Sequence, residues 1–305
     1  MQGYIIRRLF LALVTVFLVS MIVFGISHIS GDPLDMIMPE DATQVEWDMM
    51  RKQLGLDKPI YMQYLVFAAG AIRGDLGKSI RWNRPCMTLI KERFPATLLL
   101  VACSLLISWT FGLLVGTLSA LKPNGIMDRF GKIFAMLGQA MPNFWVGILF
   151  ILLFAVTLGL LPTSGRGGIK HLIMPSLTLG WFTMAAMTRM TRSSMLDVLD
   201  SEFIKMTRIK GLTEILVIGK HALKNAIIPV LTLGALQLAA LLGGAVITET
   251  IFSWPGMGRL MVDAVFSRDY PLVQACVLVS STLFVATNLI VDLVYGYIDP
   301  RIRYQ

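Results

Sequence analysis

Two short stretches of this chain resemble the ending of a phosphate-binding loop, in which a lysine and glycine-rich backbone hold nucleotide phosphates. Residues 77–79 read Gly-Lys-Ser, but such a loop also requires a glycine five positions before its second glycine, and Ile72 stands there. In the other stretch, Gly131 follows Gly125 with one residue too many, and Ile133 replaces the hydroxyl residue. We therefore expect no ATP site in this chain, and any ATP-driven activity would need a separate ATPase.

The other reactive residue types do not form a catalytic or metal-binding pattern. No Gly-x-Ser-x-Gly occurs, and the histidines are far apart, with no metal-spaced pair on a predicted helix. The cysteines are too few and too scattered for a disulfide framework. We expect no catalytic residue, no metal ligand and no cofactor in this chain. The residues concerned are His28, His171, His221, Cys86, Cys103 and Cys276.

The composition is that of a membrane protein. Hydrophobic residues make up 55% of the 305 residues and charged residues only 15%, whereas soluble domains carry roughly 25% charged residues. The formal net charge of +8 does not indicate nucleic-acid binding, because the cations concentrate at the ends of apolar runs and no basic patch is interleaved with aromatic residues. We expect no nucleic-acid partner.

Six apolar runs are long enough to cross a bilayer, which takes about 20 apolar residues. They predict an all-α integral membrane protein with six transmembrane helices. The first run follows Arg7 and Arg8, as a signal sequence would, but it is longer than a usual signal and no small-residue cleavage site follows, so we expect a retained helix. The predicted spans are Leu9–Ile29, Ala96–Leu121, Ile133–Leu161, Leu172–Thr188, Ile227–Thr248 and Leu272–Val291.

Lysine and arginine are enriched in the short loops on one side of this predicted bundle, and cytoplasmic loops carry such an excess. That side holds both termini and the segment 189–224. The short loops of the other side hold only Arg166, Lys170, Arg259 and Arg268. We therefore expect cytoplasmic N- and C-termini and a sizeable external loop, residues 30–95, between the first two helices.

The segment 200–229 is basic and rich in helix formers. Gly211 stands where a C-terminal cap would end a helix that starts near Ser201. Thr213, followed by an acidic residue, is typical of the start of a second helix. Pro229 would stand at the entrance of the next apolar run, a position that helices tolerate. The pattern predicts two short helices that meet at a glycine corner.

The same segment carries a resemblance to a known family. Residues 205–212 read Lys-Met-Thr-Arg-Ile-Lys-Gly-Leu, and residues 221–229 read His-Ala-Leu-Lys-Asn-Ala-Ile-Ile-Pro. This resembles the cytoplasmic coupling loop of ABC-importer permeases, most of all that of the dipeptide/oligopeptide/nickel family. Residues 205–207 depart from the Glu-Ala-Ala of the general permease motif, so the glycine and the later Ile-Pro carry the match. Further family phrases occur at 31–34, 53–59, 74–79, 141–145 and 249–260.

The resemblance covers nearly the whole chain and implies the first (B-type) of two permease subunits in a bacterial peptide-type ABC importer of type I architecture. Residues 1–95 would form an N-terminal helix and a periplasmic loop, and residues 96–305 a five-helix core with its coupling loop at about 200–229. The implied partners are a second homologous permease, two cytoplasmic ATPases that bind ATP and Mg²⁺, a periplasmic solute-binding protein and membrane lipid. The implied location is the bacterial inner membrane.

The resemblance and the polar residues in the spans indicate three groups of site residues. The resemblance assigns ATPase coupling to Lys205, Met206, Thr207, Arg208, Lys210, Gly211, Leu212 and Thr213. Polar residues inside spans either line a pathway or form interhelical hydrogen bonds; the candidates are Gln139, Asn143, Gln237 and Thr248. An outer mouth, acting as a gate, a docking surface or a plain interfacial anchor, would hold Glu249, Trp254, Arg259 and Asp263.

The sequence leaves the substrate open, because permeases with these phrases carry dipeptides, oligopeptides, glutathione, or nickel and other metal chelates. A stand-alone secondary transporter is the alternative of another class. Against it, the predicted spans lack a mid-membrane carboxylate for proton or sodium coupling. Co-purification with an ATPase would separate the two classes.

Overall fold

The computed structural model describes residues 2–29, 34, 38, 42–53 and 55–298. The family phrase at 31–34 lies mostly outside these residues. Within them the only β pairing is an isolated bridge between Lys78 and Pro85, which confirms the all-α prediction. The helices are α1 (Gln2–Ile29), α2 (Gln44–Gln53), α3 (Ile60–Ile72), α4 (Cys86–Leu121), α5 (Ile126–Ala140), α6 (Asn143–Phe150), α7 (Ile169–Leu199), α8 (Glu202–Ile209), α9 (Glu214–Leu216), α10 (Leu223–Ile251), α11 (Met257–Phe266) and α12 (Tyr270–Ile298).

The contacts divide the chain into two compact units. The first comprises Met1–Thr97 and Pro255–Gln305, and the second comprises Leu98–Trp254. Helix α4 therefore begins in the first unit and ends in the second. The division into 1–95 and 96–305, which rests on sequence alone, stays a prediction.

Membrane-length helices are present in both units. Among the described residues, four apolar segments are long enough to cross a bilayer, and a bent pair of helices makes a fifth if it is one crossing. The predicted fourth span lies inside α7, which also carries Lys170, Arg189 and Arg192. The multi-pass fold is confirmed, and the count of six stays a prediction. The four segments are Ile5–Ile26, Cys86–Leu121, Glu214–Ile251 and Tyr270–Asp292.

The third predicted span, Ile133–Leu161, is not one straight helix. Helix α5 ends at Ala140, Met141 has extended backbone angles, and α6 starts after Pro142. The helical segments Ile126–Ala140 and Asn143–Thr157 are bent by 112° relative to each other. The cause is local, because proline lacks the N–H that a helix needs and its ring disfavours helical angles at the preceding residue.

The core of the first unit lies where the start of α4 meets α11 and α12. Cys86 and Cys276 are fully buried there beside Leu272. Both thiols are free, so Cys86 and Cys276 are buried apolar groups of this core. Helix α1 packs along α12, and Arg8 forms a 2.7 Å salt bridge with Asp292.

Helix α7 is central to the second unit, where it contacts α5, α6 and α10. Glycines allow neighbouring helices to approach it closely. A Cβ at Gly116 of α4 would lie 2.6 Å from the Cβ of Thr191, and one at Gly138 of α5 would lie 2.3 Å from the Cβ of Ala185. Such small residues permit close packing between membrane helices, where dispersion contacts drive association.

The segment between the first two spans folds partly onto α1. Tyr64 and Phe67 of α3 contact Phe24 of α1, at ring-centroid distances of 5.4 and 5.8 Å. Within the external loop that the sequence predicted, these two rings therefore face the first span.

Candidate functional site

The predicted corner is formed by the end of α8 and the start of the next helix. Helix α8 stops at Ile209, and Gly211 has φ +80°. Glycine is favoured at such an angle because a Cβ would clash with the backbone. No described atom lies within 4 Å of the position a Cβ would take at Gly211, so backbone conformation and not packing selects the glycine.

The helix after the corner is longer than predicted. Thr213 occupies the N-cap position, although its side chain makes no capping hydrogen bond to the described chain. Residues Glu214–Ile251 then form one membrane-length helix, with a π-helical stretch at Val217–Ala222. The prediction of a second short helix was wrong, and Pro229 lies inside α10 and not at its entrance.

One side of the corner is fixed to the membrane helices. Ile204 of α8 and Val217 are fully buried with Ala120 of α4, Met195 of α7 and Ala226 of α10. Burying an aliphatic side chain of this size contributes roughly 1.5–3 kcal/mol. Since these contacts join the corner to three long helices, a displacement of α8 would be transmitted to all of them.

The opposite side of the corner is apolar and exposed. Phe203 and Met206 of α8 are 51% and 56% exposed, while Ile209 and Ile215, on either side of the glycine, are 80% and 85% exposed. Contiguous exposed apolar groups mark surfaces that another molecule covers. We call this set the outer face of the corner.

Ion pairs lie along the corner. Arg208 donates to Glu214 across the glycine, at 2.8 Å from Nε to Oε1. Lys205 donates to Glu202 at 3.0 Å, and this bond with the glutamate charge holds the pKa of Lys205 above its ordinary value. Exposed pairs of this kind contribute about 0–1 kcal/mol each. The remaining predicted coupling residues divide into buried Thr207 and exposed Lys210, Leu212 and Thr213.

Two of the four predicted pathway residues lie at the helix break. Gln139 is near the end of α5, where it donates to the Ala135 carbonyl at 3.3 Å, and Asn143 is the first residue of α6. Gln237 is partly buried on α10. Thr248 is buried, and within the described chain its hydroxyl has no hydrogen-bond partner. Their role in a pathway stays a prediction.

A basic groove of about 610 Å³ lies beside Gln139 between α5 and α7, lined in part by Lys132, Arg189 and Arg192. Two of these cations share one carboxylate. The fully buried carboxylate of Asp128 accepts hydrogen bonds from Arg192 Nε at 2.5 Å and from the Asn124 N–H at 2.7 Å, and pairs with Lys132 at 2.8 Å. Sequence reasoning missed this cluster. The available signal was the i, i+4 spacing of Asp128 and Lys132.

The predicted outer-mouth residues fall in both units. In the second unit, Glu249 and Trp254 are fully buried, and the guanidinium of Arg166 lies 5.7 Å from the Trp254 ring centre, within cation–π range. Their roles as a gate, a docking surface or an interfacial anchor stay predictions. In the first unit, Arg259 and Asp263 lie one turn apart on α11, with Nε and Oδ2 at 3.9 Å.

The Gly-Lys-Ser stretch binds a carboxylate of this same chain instead of a phosphate. Asp269 is fully buried and accepts hydrogen bonds from the hydroxyl of Ser79 at 2.5 Å and from the N–H groups of Ile80 and Arg81 at 3.2 Å. It also accepts the N–H of Leu272 at 3.3 Å, which caps α12. These three donors of the turn therefore bind a carboxylate of the chain itself.

Two family models match almost the entire chain. Residues 1–101 match the N-terminal membrane component of binding-protein-dependent transport systems, and residues 112–304 match the binding-protein-dependent transport system inner membrane component. The chain belongs to this family. It is a multi-pass inner membrane permease subunit of an ABC importer, and it is not the ATPase subunit.

Similar proteins agree with this assignment. The chain is 42% identical to the glutathione transport system permease protein GsiC of Escherichia coli K12 and 43% identical to that of Pectobacterium atrosepticum, over the full length of both proteins. A chain of the MetNI methionine ABC transporter in an inward-facing conformation is 19% identical, with a TM-score of 0.52 over 68% of this permease and 97% of that chain. A chain of an amino acid ABC transporter is 14% identical, with a TM-score of 0.54 over 68% of this permease and 92% of that chain. The two structures show the fold of ABC importer permeases.

Proposed function

We propose that this permease imports glutathione or other small peptides, delivered by a periplasmic solute-binding protein. The observation that carries the proposal is the 42–43% identity to glutathione permeases, which extends over the whole of each chain. A second, homologous permease would complete the pathway. Gln139, Asn143, Gln237 and Thr248 are the proposed polar contacts along it.

The energy would come from two cytoplasmic ATPases that hold ATP and Mg²⁺. The outer face of the corner offers them an apolar surface, and the buried side of α8 connects that surface to α4, α7 and α10. When the ATPases close, Phe203 and Met206 would be displaced with them. The attached membrane helices would then alternate between inward-open and outward-open arrangements. This mechanism requires cytoplasmic termini.

Reconstituted transport tests the substrate. The complete importer, with its cognate binding protein and ATPases, is placed in proteoliposomes, and uptake of labelled glutathione and of a labelled dipeptide is measured with and without ATP. We expect ATP-dependent uptake of at least one, competed by the unlabelled compound. ATP-dependent uptake of a nickel chelate with neither peptide transported would contradict the peptide proposal. Uptake by the chain alone, driven by an ion gradient, would contradict the importer mechanism.

A further inference from the structure

Helix α3 is apolar and too short to cross a membrane. It has 13 residues and no charged residue between Ile60 and Ile72, and at 1.5 Å per residue it is about 20 Å long, against about 30 Å for a hydrocarbon core. An apolar stretch of this length is either a buried core helix or a non-spanning membrane segment. No α3 residue is buried by the described chain, so α3 is not a core helix.

The contacts of α3 with α1 lie inside the first span. The hydroxyl of Tyr64 and that of Ser20 are 2.8 Å apart, and the ring of Tyr64 contacts Phe17 at 6.2 Å between centroids. The apolar span of α1 extends at least to Ile26, so Ser20 is at least about 9 Å from its end at 1.5 Å per residue. Because the chain leaves α1 at the Ile26 end, this depth does not depend on which side of the membrane the loop occupies.

Two of the three polar side chains of α3, those of Gln63 and Tyr64, are paired, as hydrocarbon requires. An unpaired polar group costs several kcal/mol in the bilayer core, and Tyr64 is paired with Ser20. The side-chain amide of Gln63 donates to the carbonyls of Lys58 at 2.8 Å and Leu56 at 3.4 Å. No described side chain of α3 is ionisable other than its two tyrosines.

The exposed side of α3 continues the exposed side of α1. Phe17 of α1, whose ring contacts Tyr64, is itself 54% exposed. Charged residues resume directly outside the helix, at Lys58 before it and Arg73 after it, as at the ends of a membrane-embedded stretch. The exposed apolar residues of α3 are Ile60, Tyr61, Met62, Leu65, Val66 and Ile72.

We propose that α3 is a membrane-inserted, non-spanning helix whose exposed side contacts the acyl chains of the leaflet at the Ile26 end of α1. The depth of the Tyr64–Ser20 contact and the continuity with the lipid-facing side of α1 select lipid as the occupant. The segment between the first two spans is therefore anchored in the bilayer at its centre. This differs from the external aqueous loop that the sequence predicted.

Spin-label accessibility tests the proposal in the complete importer in proteoliposomes. In a background with Cys86, Cys103 and Cys276 replaced by alanine, a nitroxide is attached at Leu65→Cys or Val66→Cys, and collisions with oxygen and with an aqueous nickel chelate are compared. The matched control is Met49→Cys, since Met49 is 55% exposed on the charged helix α2. We expect collisions with the chelate to be lost at 65 and 66, with oxygen collisions retained, and the reverse preference at 49.

A second variant keeps the result interpretable if the labels disturb the helix. Val66→Lys should drive α3 out of the lipid, so a label at position 65 should gain collisions with the chelate, whereas Met49→Lys should change nothing at 65. Free access of the chelate at 65 and 66 without any substitution would overturn the proposal. So would protection that appears only when the binding protein is added, or low collision rates with both reagents caused by the second permease.

Discussion

A single buried carboxylate, Asp269, joins two segments of the first unit that are 190 residues apart. Its four donors come from the turn at Ser79 and from the first turn of α12. A carboxylate that accepts several N–H and O–H donors satisfies groups that burial would otherwise leave unpaired. This residue therefore fixes the turn before α4 to the start of α12.

Replacing Asp269 by alanine should destabilise the permease markedly. Each buried donor left unsatisfied costs about 1–3 kcal/mol, and the cap of α12 is lost as well. The control is Asp263→Ala, because the pair that Asp263 makes with Arg259 on α11 is a loose 3.9 Å contact between exposed side chains. Thermal unfolding in detergent measures both. Equal midpoints for the two variants would contradict the anchoring role of Asp269.

Gly211 and Gly219 form a matched pair for testing the corner. Neither would meet a described atom within 4 Å of an added Cβ, but only Gly211 has a positive φ. Alanine at Gly211 should cost about 1–3 kcal/mol of backbone strain, which the chain can relieve by straightening the corner. We expect Gly211→Ala to lower transport and its coupling to ATP hydrolysis, and Gly219→Ala to leave both near normal. Normal coupling in Gly211→Ala would make the glycine an incidental helix end.

The sequence identified residues whose role depends on their neighbours in the chain, and it missed residues whose role depends on distant segments. Gly211 was predictable because a left-handed cap is determined by a few neighbouring residues. The partners of Asp269 and the burial of Trp254 were not, since they depend on segments distant in the chain. The spacing of residues 72–79 was enough to exclude a phosphate-binding loop. Only the structure shows that Ser79 of this stretch binds the carboxylate of Asp269.

At the scale of elements, the corner is an adaptor with two different faces. Ile204 and Val217 on its buried face pack against the membrane helices. The apolar residues of its outer face are exposed in the described chain. Apolar residues exposed on a helix that is already packed on its other side are typical of a surface that another molecule covers. The outer face is therefore the side on which we expect a partner.

Met206→Asp should weaken binding of the ATPase without unfolding the permease. Met206 is 56% exposed, so the folded subunit tolerates a charge there, while an interface would have to bury it. We expect at least about tenfold weaker ATPase binding, equivalent to 1.4 kcal/mol. Lys205→Ala on the same helix should be mild, because its exposed pair contributes about 0–1 kcal/mol. Binding is measured by titrating the ATPase against the permease in nanodiscs; equal affinities would remove the outer face from the interface.

Two prolines, Pro142 and Pro229, show that the effect of a proline on a membrane helix cannot be predicted from rules for soluble helices alone. Pro142 breaks its span as its chemistry predicts, because an extended residue precedes it. Pro229 does not interrupt α10. Membrane helices tolerate an internal proline when neighbouring groups satisfy the freed carbonyl. The same residue type therefore interrupts one predicted span and lies inside an unbroken helix in another.

At the scale of the whole molecule, composition was sufficient to predict a multi-pass membrane protein, because the bilayer imposes length and polarity on every span. The organisation into units was not predictable in this way. The two ends of the chain share one unit, in which α1 packs along α12 and Arg8 pairs with Asp292. Pairings of such sequence separation leave no periodic signal in the sequence.

The orientation of the chain in the membrane gives the last prediction. The excess of lysine and arginine in the short loops predicts that both termini and the corner are cytoplasmic and that the segment 30–95 is on the outer side, with α3 in the adjoining leaflet. Asp57 and Thr213 are both exposed, so cysteines there are accessible to reagents on their own side. In intact spheroplasts, with the native cysteines replaced by alanine, a membrane-impermeant thiol reagent should label Asp57→Cys and not Thr213→Cys, and permeabilised cells should show labelling of both. The opposite pattern in intact cells would place the corner outside, where no ATPase could reach Met206, and the coupling mechanism would fail with the orientation.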